Sequence, residues 1–153
     1  MLGGLSIAIG DAVAAGSREA ALVALDSHPG STVSHLSRAL GRSHSATVRL
    51  LDGLERDRLV RREQGADARS IRLELTAAGR AAAKAVRSAR ARTLDGLVDA
   101  LSDRNVARLE PLLERLLAAG AVDAGSRWRT CRLCDEPRCE TDNSCPVDVA
   151  ASR

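Results

Sequence analysis

The fold is decided by residues 59–76, which read LVRREQGADARSIRLELT. Apolar side chains at Ile71, Leu73 and Leu75 alternate with charged ones, and this period of two residues is typical of a half-buried strand. A polar stretch containing Gly65 separates it from a second short run. The pattern therefore predicts a β-hairpin with a tip of several residues. The two strands are expected over 59–63 and 70–75.

Four short helices are predicted before the hairpin. Ser and Thr side chains that precede an apolar-periodic run are typical helix N-caps, whereas His28-Pro29-Gly30 and Gly41 are stop signals. The first is predicted over 5–15. The expected bounds of the others are 17–27 with Ser17 as N-cap, Ser31 or Thr32 to Leu40, and a helix capped by Ser43 that carries Val48, Leu51 and Leu54 on one face.

Two long helices are predicted after the hairpin. Thr76 caps the first, which extends to about residue 100, and the second begins at Asp103. Pro111 is expected to kink the second helix or to lie near its first turn. One stripe of this helix is apolar and consists of Val106, Leu109, Leu113, Leu116 and Leu117.

The order of helix, glycine-containing turn, helix and hairpin is typical of a winged helix-turn-helix, a fold that binds DNA. The helix after Ser43 fits a major groove, and its start carries short or polar side chains. The hairpin, which contains Arg61, would follow the neighbouring backbone, and Arg69 at its tip suits a narrow minor groove. Asp67 would orient the Arg69 guanidinium. The predicted DNA contacts are Ser43, His44, Ser45, Thr47, Arg49, Arg61, Asp67 and Arg69.

The distribution of charge supports a nucleic-acid partner. The 153-residue chain has a net charge of +3, whereas the window 38–72 contains nine Arg and five acidic residues, hence 9 − 5 = +4. The remainder of the chain therefore sums to 3 − 4 = −1. A positive patch on the segment that is expected to contact DNA is the electrostatic footprint of a DNA-binding domain.

The hairpin also carries a family resemblance. The segments 67–70, Asp-Ala-Arg-Ser, and 73–80, Leu-Glu-Leu-Thr-Ala-Ala-Gly-Arg, resemble the wing signature of the MarR family of bacterial regulators, and 54–60 resembles the approach to that wing. The resemblance covers about residues 17–120. It implies a mainly α-helical fold with a small hairpin wing, a homodimer formed by the N- and C-terminal helices, and a pseudo-palindromic operator. It also implies that Arg69 enters the minor groove with Asp67 as its partner.

The resemblance and the patterns together divide the chain into four parts. The N-terminal helix is short for the family, and the chain contains no Tyr or Phe that would line a pocket for aromatic ligands. A small-molecule effector is therefore left open. The parts are an N-terminal dimerisation helix at 1–16, a winged helix-turn-helix domain at 17–76, long dimerisation helices at 77–125 and a cysteine-rich tail at 126–153.

The tail contains every cysteine of the chain, spaced C-x2-C-x4-C-x5-C. Four thiolates in one short segment are a typical ligand set for a metal, and we expect Cys131, Cys134, Cys139 and Cys145 to be the ligands. Zinc suits four cysteines, whereas the final Cys-Pro also occurs in ferredoxin-like runs. We favour an iron–sulfur cluster slightly over zinc, and metal-free redox thiols are the third alternative. A centre here would alter DNA affinity through the dimer, or zinc would only staple the tail.

Other classes of protein fit less well. The sequence contains no nucleophile–base pairing, no phosphate-cradling glycine loop and no HExxH-type metal site, so we do not expect an enzyme. A cysteine-centred redox protein is the remaining alternative. The apolar N-terminus lacks a basic region and is interrupted by Asp11, which argues against a signal peptide or membrane span. We therefore expect a cytoplasmic protein.

Overall fold

The computed structural model describes residues 16–65, 71–120, 129–132, 145 and 147. The predicted helix at 5–15 lies outside the described residues. The described part is mainly helical with one antiparallel hairpin, which confirms the predicted fold class. Its elements are α1 (Ser17–Ser27), α2 (Val33–Leu40), α3 (His44–Arg56), β1 (Val60–Gln64), β2 (Ile71–Leu75), α4 (Ala77–Val98) and α5 (Asp103–Gly120).

Side-chain caps set the starts of three helices as predicted. Thr32, Ser43 and Thr76 each accept a hydrogen bond from the backbone N–H three residues further on, at 3.2, 3.3 and 3.0 Å. Each cap satisfies a backbone donor that has no partner within its helix. The prediction for α1 is wrong, because Gly16 is the N-cap and no side chain caps the helix. Ser17 is the first helical residue, and its hydroxyl accepts a hydrogen bond from the Arg42 guanidinium.

Helix α1 is the centre of the core. Six consecutive residues, Ala20–Leu25, are buried, so the helix is covered on all sides. It packs against α4, α2 and β2. Its alanines let neighbouring elements approach closely, and larger buried side chains come both from α1 itself and from those elements. The largest fully buried side chains are Leu25, Leu36, Leu51, Leu54, Leu73, Val23 and Thr47.

The hairpin is joined to the helices at its base. Val60 pairs with Leu75 at the base and Gln64 pairs with Ile71 towards the tip. The turn before α2 adds a short third edge, because Leu73 exchanges two backbone hydrogen bonds with Gly30 and Ser31, at 3.1 and 2.9 Å. Leu73 and Leu75 are buried, but Ile71 is 51% exposed. The predicted alternation therefore forms core only at the base, and the far end of the hairpin projects from the domain.

The end of α3 passes directly into the wing. Arg58 has a φ of 57°, in the left-handed region that non-glycine residues adopt at a cost. The backbone N–H of Arg58 donates to the carbonyl of Glu55, and that of Leu59 donates to Leu54, both at 2.9 Å. This is the Schellman arrangement, which satisfies the last carbonyls of a helix and reverses the chain. Consequently β1 begins immediately beside the end of α3.

Gly79 is where α4 approaches this junction. A Cβ at Gly79 would lie 2.0 Å from the carbonyl oxygen of Leu59, a distance that no side chain tolerates. The contact is reinforced by Thr76, whose backbone N–H donates to Leu59 O at 3.0 Å and whose hydroxyl donates to Arg58 O at 2.7 Å. The start of α4 is therefore packed backbone to backbone against the start of the wing.

The two helices after the wing follow the prediction approximately. Helix α4 ends at Val98 rather than near residue 100, and α5 continues to Gly120. Pro111 lies in the interior of α5, so its alternative placement in the first turn is wrong. None of the residues of α5 is buried within a single chain.

Gly79→Ala is expected to destabilise the fold by about 3 kcal/mol or more, because the new Cβ forces two backbone segments apart. Gly96→Ala is the matched control, since Gly96 lies in the same helix and no atom is within 4 Å of the position that its new methyl group would take. The control should gain up to about 1 kcal/mol from helix propensity. Urea unfolding of the two variants measures both values, and equal stabilities would contradict the packing argument.

Candidate nucleic-acid interface

The first turn of α3 presents a polar, exposed surface. Ser43, His44 and Ser45 are exposed, and Arg49 is exposed one turn further along the helix. The Ser43 hydroxyl caps the helix and lies 3.3 Å from the Ser45 hydroxyl. Short polar side chains allow a helix to approach base edges closely, and an arginine on the same surface can donate two hydrogen bonds to a guanine. The arrangement therefore suits insertion into a major groove.

Thr47 does not belong to this surface, and the prediction that it contacts DNA is wrong. The residue is fully buried, and its hydroxyl donates to the Ser43 carbonyl at 3.0 Å. Thr47 lies four and seven residues before Leu51 and Leu54, which are also buried, so it occupies the core face of the helix. The 3.6-residue period of the helix was the signal in the sequence that could have predicted the burial of Thr47. Val48, which was predicted for the core face, is only half-buried.

The wing contributes one described arginine to the predicted interface. Arg61 in β1 has a side chain that is 61% exposed and forms an ion pair with Glu63 at 2.9 Å. Exposed pairs of this kind contribute little to stability, so the Arg61 guanidinium can exchange Glu63 for another anion. The other two predicted wing residues, Asp67 and Arg69, lie outside the described residues.

Arg62 joins the wing to the helix that carries the polar turn. One guanidinium nitrogen is 2.6 Å from Asp52 and another is 2.6 Å from Glu55, so one side chain of β1 holds two carboxylates of α3. The Arg62 side chain is 29% exposed, so it is better shielded from solvent than that of Arg61. The bridge was not predicted from the sequence. It fixes the wing relative to α3 and neutralises two acidic groups close to the polar surface.

Basic residues around the turn between α2 and α3 extend the positive surface. Gly41 has a φ of 62°, and Arg38 and Arg42 beside it are exposed. This turn leads directly into the Ser43 cap. The two arginines belong to the positively charged segment but were not predicted as contacts. Their position next to the start of a capped helix was the signal that would have identified them.

Two histidines lie behind the wing and not on the polar surface. The ring centroids of His28 and His35 are 5.4 Å apart, and His35 Nδ1 lies 3.3 Å from the Ser31 hydroxyl. Burial lowers the pKa of His35 below its ordinary value, and the nearby His28 and Arg38 lower that pKa further. His35 is therefore a neutral structural residue at neutral pH, next to the turn that pairs with Leu73.

The cysteine-rich tail is described only in part. Residues 129–131 form a helical turn that contains Cys131, and both Cys131 and Cys145 are half-buried. Cys134 and Cys139 lie outside the described residues. Within the described ranges, no three His, Cys, Asp or Glu side chains come together as a metal site, and no helix is long and apolar enough to cross a membrane.

Comparison with known proteins identifies the domain that carries the polar surface. Residues 20–70 match the MarR family. No curated protein matches the chain in sequence. The MarR match includes most of α1, the whole of α2, α3 and β1, and the segment that follows β1 up to residue 70.

Solved structures extend the similarity over more of the chain. MepR, described as a transcription regulator of the Staphylococcus aureus multidrug efflux pump MepA, is 27% identical, with a TM-score of 0.59 over 67% of this chain and 77% of MepR. The MepR–DNA complex is 28% identical, with a TM-score of 0.55 over the same shares of the two chains.

A further likeness concerns the fold alone. FabT of Streptococcus pneumoniae, solved in complex with DNA, is 22% identical, with a TM-score of 0.59 over 65% of this chain and 70% of FabT. These likenesses cover more of the chain than the matched domain does. Residues 20–70 of this chain match the MarR family, and the described fold is similar to that of the winged helix-turn-helix regulator MepR.

Proposed function

We propose that this chain is a dimeric, sequence-specific DNA-binding transcription regulator that acts as a repressor. The proposal rests mainly on the first turn of α3, which is polar and exposed. This helix is joined to strand β1 of the wing by the ion pairs of Arg62. The match to the MarR family and the likeness to MepR, which has been solved on DNA, support the same function. A regulator of this kind is not an enzyme and works in the cytoplasm, where bacterial DNA lies.

On DNA, α3 would enter the major groove with Ser45 and Arg49 towards the base edges. The wing would follow the adjacent backbone with Arg61 near phosphates and with Arg69, oriented by Asp67, in the minor groove. Because the Arg62 bridge joins α3 to β1, the two contacts would be made in a fixed relation to each other.

The homodimer is supported by the long helices. Helix α5 is 18 residues long, yet none of its residues is buried within one chain. Leu113, Leu116 and Leu117 of its apolar stripe are 48%, 69% and 43% exposed. A single helix with an uncovered apolar stripe is marginal in water, so a second copy that covers the stripe is the partner we propose. Two copies would also place two copies of α3 on a pseudo-palindromic operator.

The four cysteines of the tail are proposed to hold a metal centre that modulates DNA affinity. An iron–sulfur cluster remains our first choice and zinc our second, because both are bound by four thiolates. Cys131 lies on the helical turn 129–131, which begins 129 − 120 = 9 residues after the end of α5 at Gly120. Its ligation would therefore constrain the segment that follows the proposed dimerisation helix. When bound, the centre would hold the tail in one conformation, and oxidation or loss of the metal would change that conformation and with it the DNA affinity.

A regulator that responds to a small molecule is the second candidate function. MepR has been solved with ethidium bromide bound, and that structure is 27% identical to this chain with a TM-score of 0.54. In this alternative the tail would hold zinc for structural reasons only.

Arg49→Ala is expected to lower affinity for the operator by about 1–3 kcal/mol and to relax its sequence preference, since a base contact is lost. The operator is selected from a random duplex library, and affinities are measured by fluorescence anisotropy. Arg92→Ala, which removes an exposed arginine of α4, is the matched control and should bind as the wild type does. A wild-type preference below about a thousandfold over random DNA contradicts the proposed function.

Leu116→Lys is expected to weaken the dimer at least about a hundredfold, because each subunit loses the burial of a leucine and gains a charge in an apolar interface. Ala107→Lys adds the same charge to α5 outside the apolar stripe and should leave the dimer intact. Sedimentation velocity over a range of concentrations separates the two variants. A monomeric wild type would rule out the proposed interface.

Cys131→Ser is expected to lower the metal content and to change DNA affinity. The protein is purified without air, and its visible spectrum, iron, acid-labile sulfide and zinc are measured. A brown protein with iron and sulfide supports the cluster, whereas a colourless one with about one zinc per chain supports zinc. Ser144→Ala, beside Cys145, is the control for substitution in the tail. A Cys131→Ser variant with unchanged metal and unchanged DNA affinity contradicts the proposed centre.

A further inference from the structure

The cysteine-rich tail touches the turn that leads into α3. A Cβ built on Gly41 would lie 3.3 Å from Cδ and 3.9 Å from Cγ of Arg129. The aliphatic part of the Arg129 side chain therefore lies beside Gly41 in the turn of the helix-turn-helix. This contact lies directly before Ser43, the cap of the helix proposed to enter the major groove.

The contact brings a second set of positive charges to that turn. Arg38 and Arg42 on the helix-turn-helix and Arg129 and Arg132 on the tail are all exposed. The Arg132 guanidinium donates to the Arg129 carbonyl, so the two tail arginines belong to one compact turn. Within the described part of the chain, none of the four forms an ion pair with an acidic side chain.

The four arginines at this turn differ from other arginines of the domain in having no carboxylate partner among the described residues. Four other described arginines have carboxylate partners. Arg62 pairs with Asp52 and Glu55, and Arg18, Arg61 and Arg87 pair with Asp57, Glu63 and Asp26. Like charges brought together without such partners repel one another, and a polyanion removes that repulsion. The backbone of a DNA duplex is the polyanion that the proposed function places next to the start of α3.

We propose that Arg129 and Arg132 of the tail bind DNA phosphates at the edge of the major groove that α3 enters. This inference rests on the proposed DNA binding and assigns to the tail a direct part in it. The tail arginines would add affinity without sequence preference, because phosphate contacts position a protein and do not distinguish bases. The same turn carries Cys131, so the chemical state of that thiol would act on a DNA contact two residues away as well as on the dimer.

The salt dependence of binding tests the proposal. Full-length wild type and Arg129→Gln are titrated with the selected operator and with a random-sequence duplex over a range of salt concentrations. Each lost phosphate contact lowers the slope of log affinity against log salt by about 0.9, so a dimer should lose about 1.8 on both duplexes. Arg129→Lys, which keeps the charge, should retain most of the slope. Arg92→Gln, with the same loss of charge on α4, should match the wild type.

The outcomes separate this inference from the function on which it rests. A wild type that binds the operator, with Arg129→Gln of equal slope or tighter binding, overturns the phosphate contact and leaves the proposed function intact. An Arg129→Gln variant whose loss is confined to the operator also overturns it, because a base-specific effect is not a phosphate contact. A wild type that binds neither duplex overturns the proposed function itself, and the extension falls with it. Thermal unfolding of the variants verifies that the fold is unchanged.

Discussion

The close approach of α4 to the carbonyl of Leu59 is the constraint on which the rest of the structure depends. Because Gly79 has no side chain, the start of the long helix lies against the backbone that leaves α3 and enters the wing. Thr76 closes the junction with hydrogen bonds to Arg58 and Leu59. The helix proposed to enter DNA, the wing and the long helix α4 consequently meet at one point, where their relative positions are fixed by backbone contacts.

Ion pairs add to the contacts at this junction. The segment 38–72 has an excess of positive charge, but its arginines have different roles. Arg62 is committed to two carboxylates of α3, whereas Arg49 is exposed on the same helix and Arg61 has an exposed partner. The bridge by Arg62 therefore performs two tasks. It orients the wing, and it reduces the repulsion that Asp52 and Glu55 would exert on an approaching phosphate.

The sequence predicts those parts of the molecule that depend on local chemistry. The caps at Thr32, Ser43 and Thr76 each involve a side chain and a backbone group three residues away, so the pattern alone contains the information. The N-cap of α1 is Gly16 and not the predicted Ser17, and the Ser17 hydroxyl accepts a hydrogen bond from the distant Arg42. Burial of Thr47, in contrast, could be read from the pattern, because Thr47 lies four and seven residues before Leu51 and Leu54 on the same face of the helix.

Contacts of the site that join distant segments could not be predicted from the sequence, because local patterns contain no information about them. The Arg62 bridge spans ten residues to Asp52, and the contact of Arg129 with Gly41 joins the tail to the first third of the chain. The cysteine spacing predicts a ligand set but contains no information about what the tail packs against. The location of Arg129 beside the helix-turn-helix therefore emerged only with the fold.

The burial of helix α1 has a consequence for where mutations can alter the protein. Its residues 20–25 include three alanines, and every one of the six is buried between elements that belong to different parts of the molecule. An enlarged side chain at Ala21 would displace neighbours on both sides without touching a nucleotide. Under the proposed function, substitutions at these positions would change regulation through the packing of the domain and not through its contact surface.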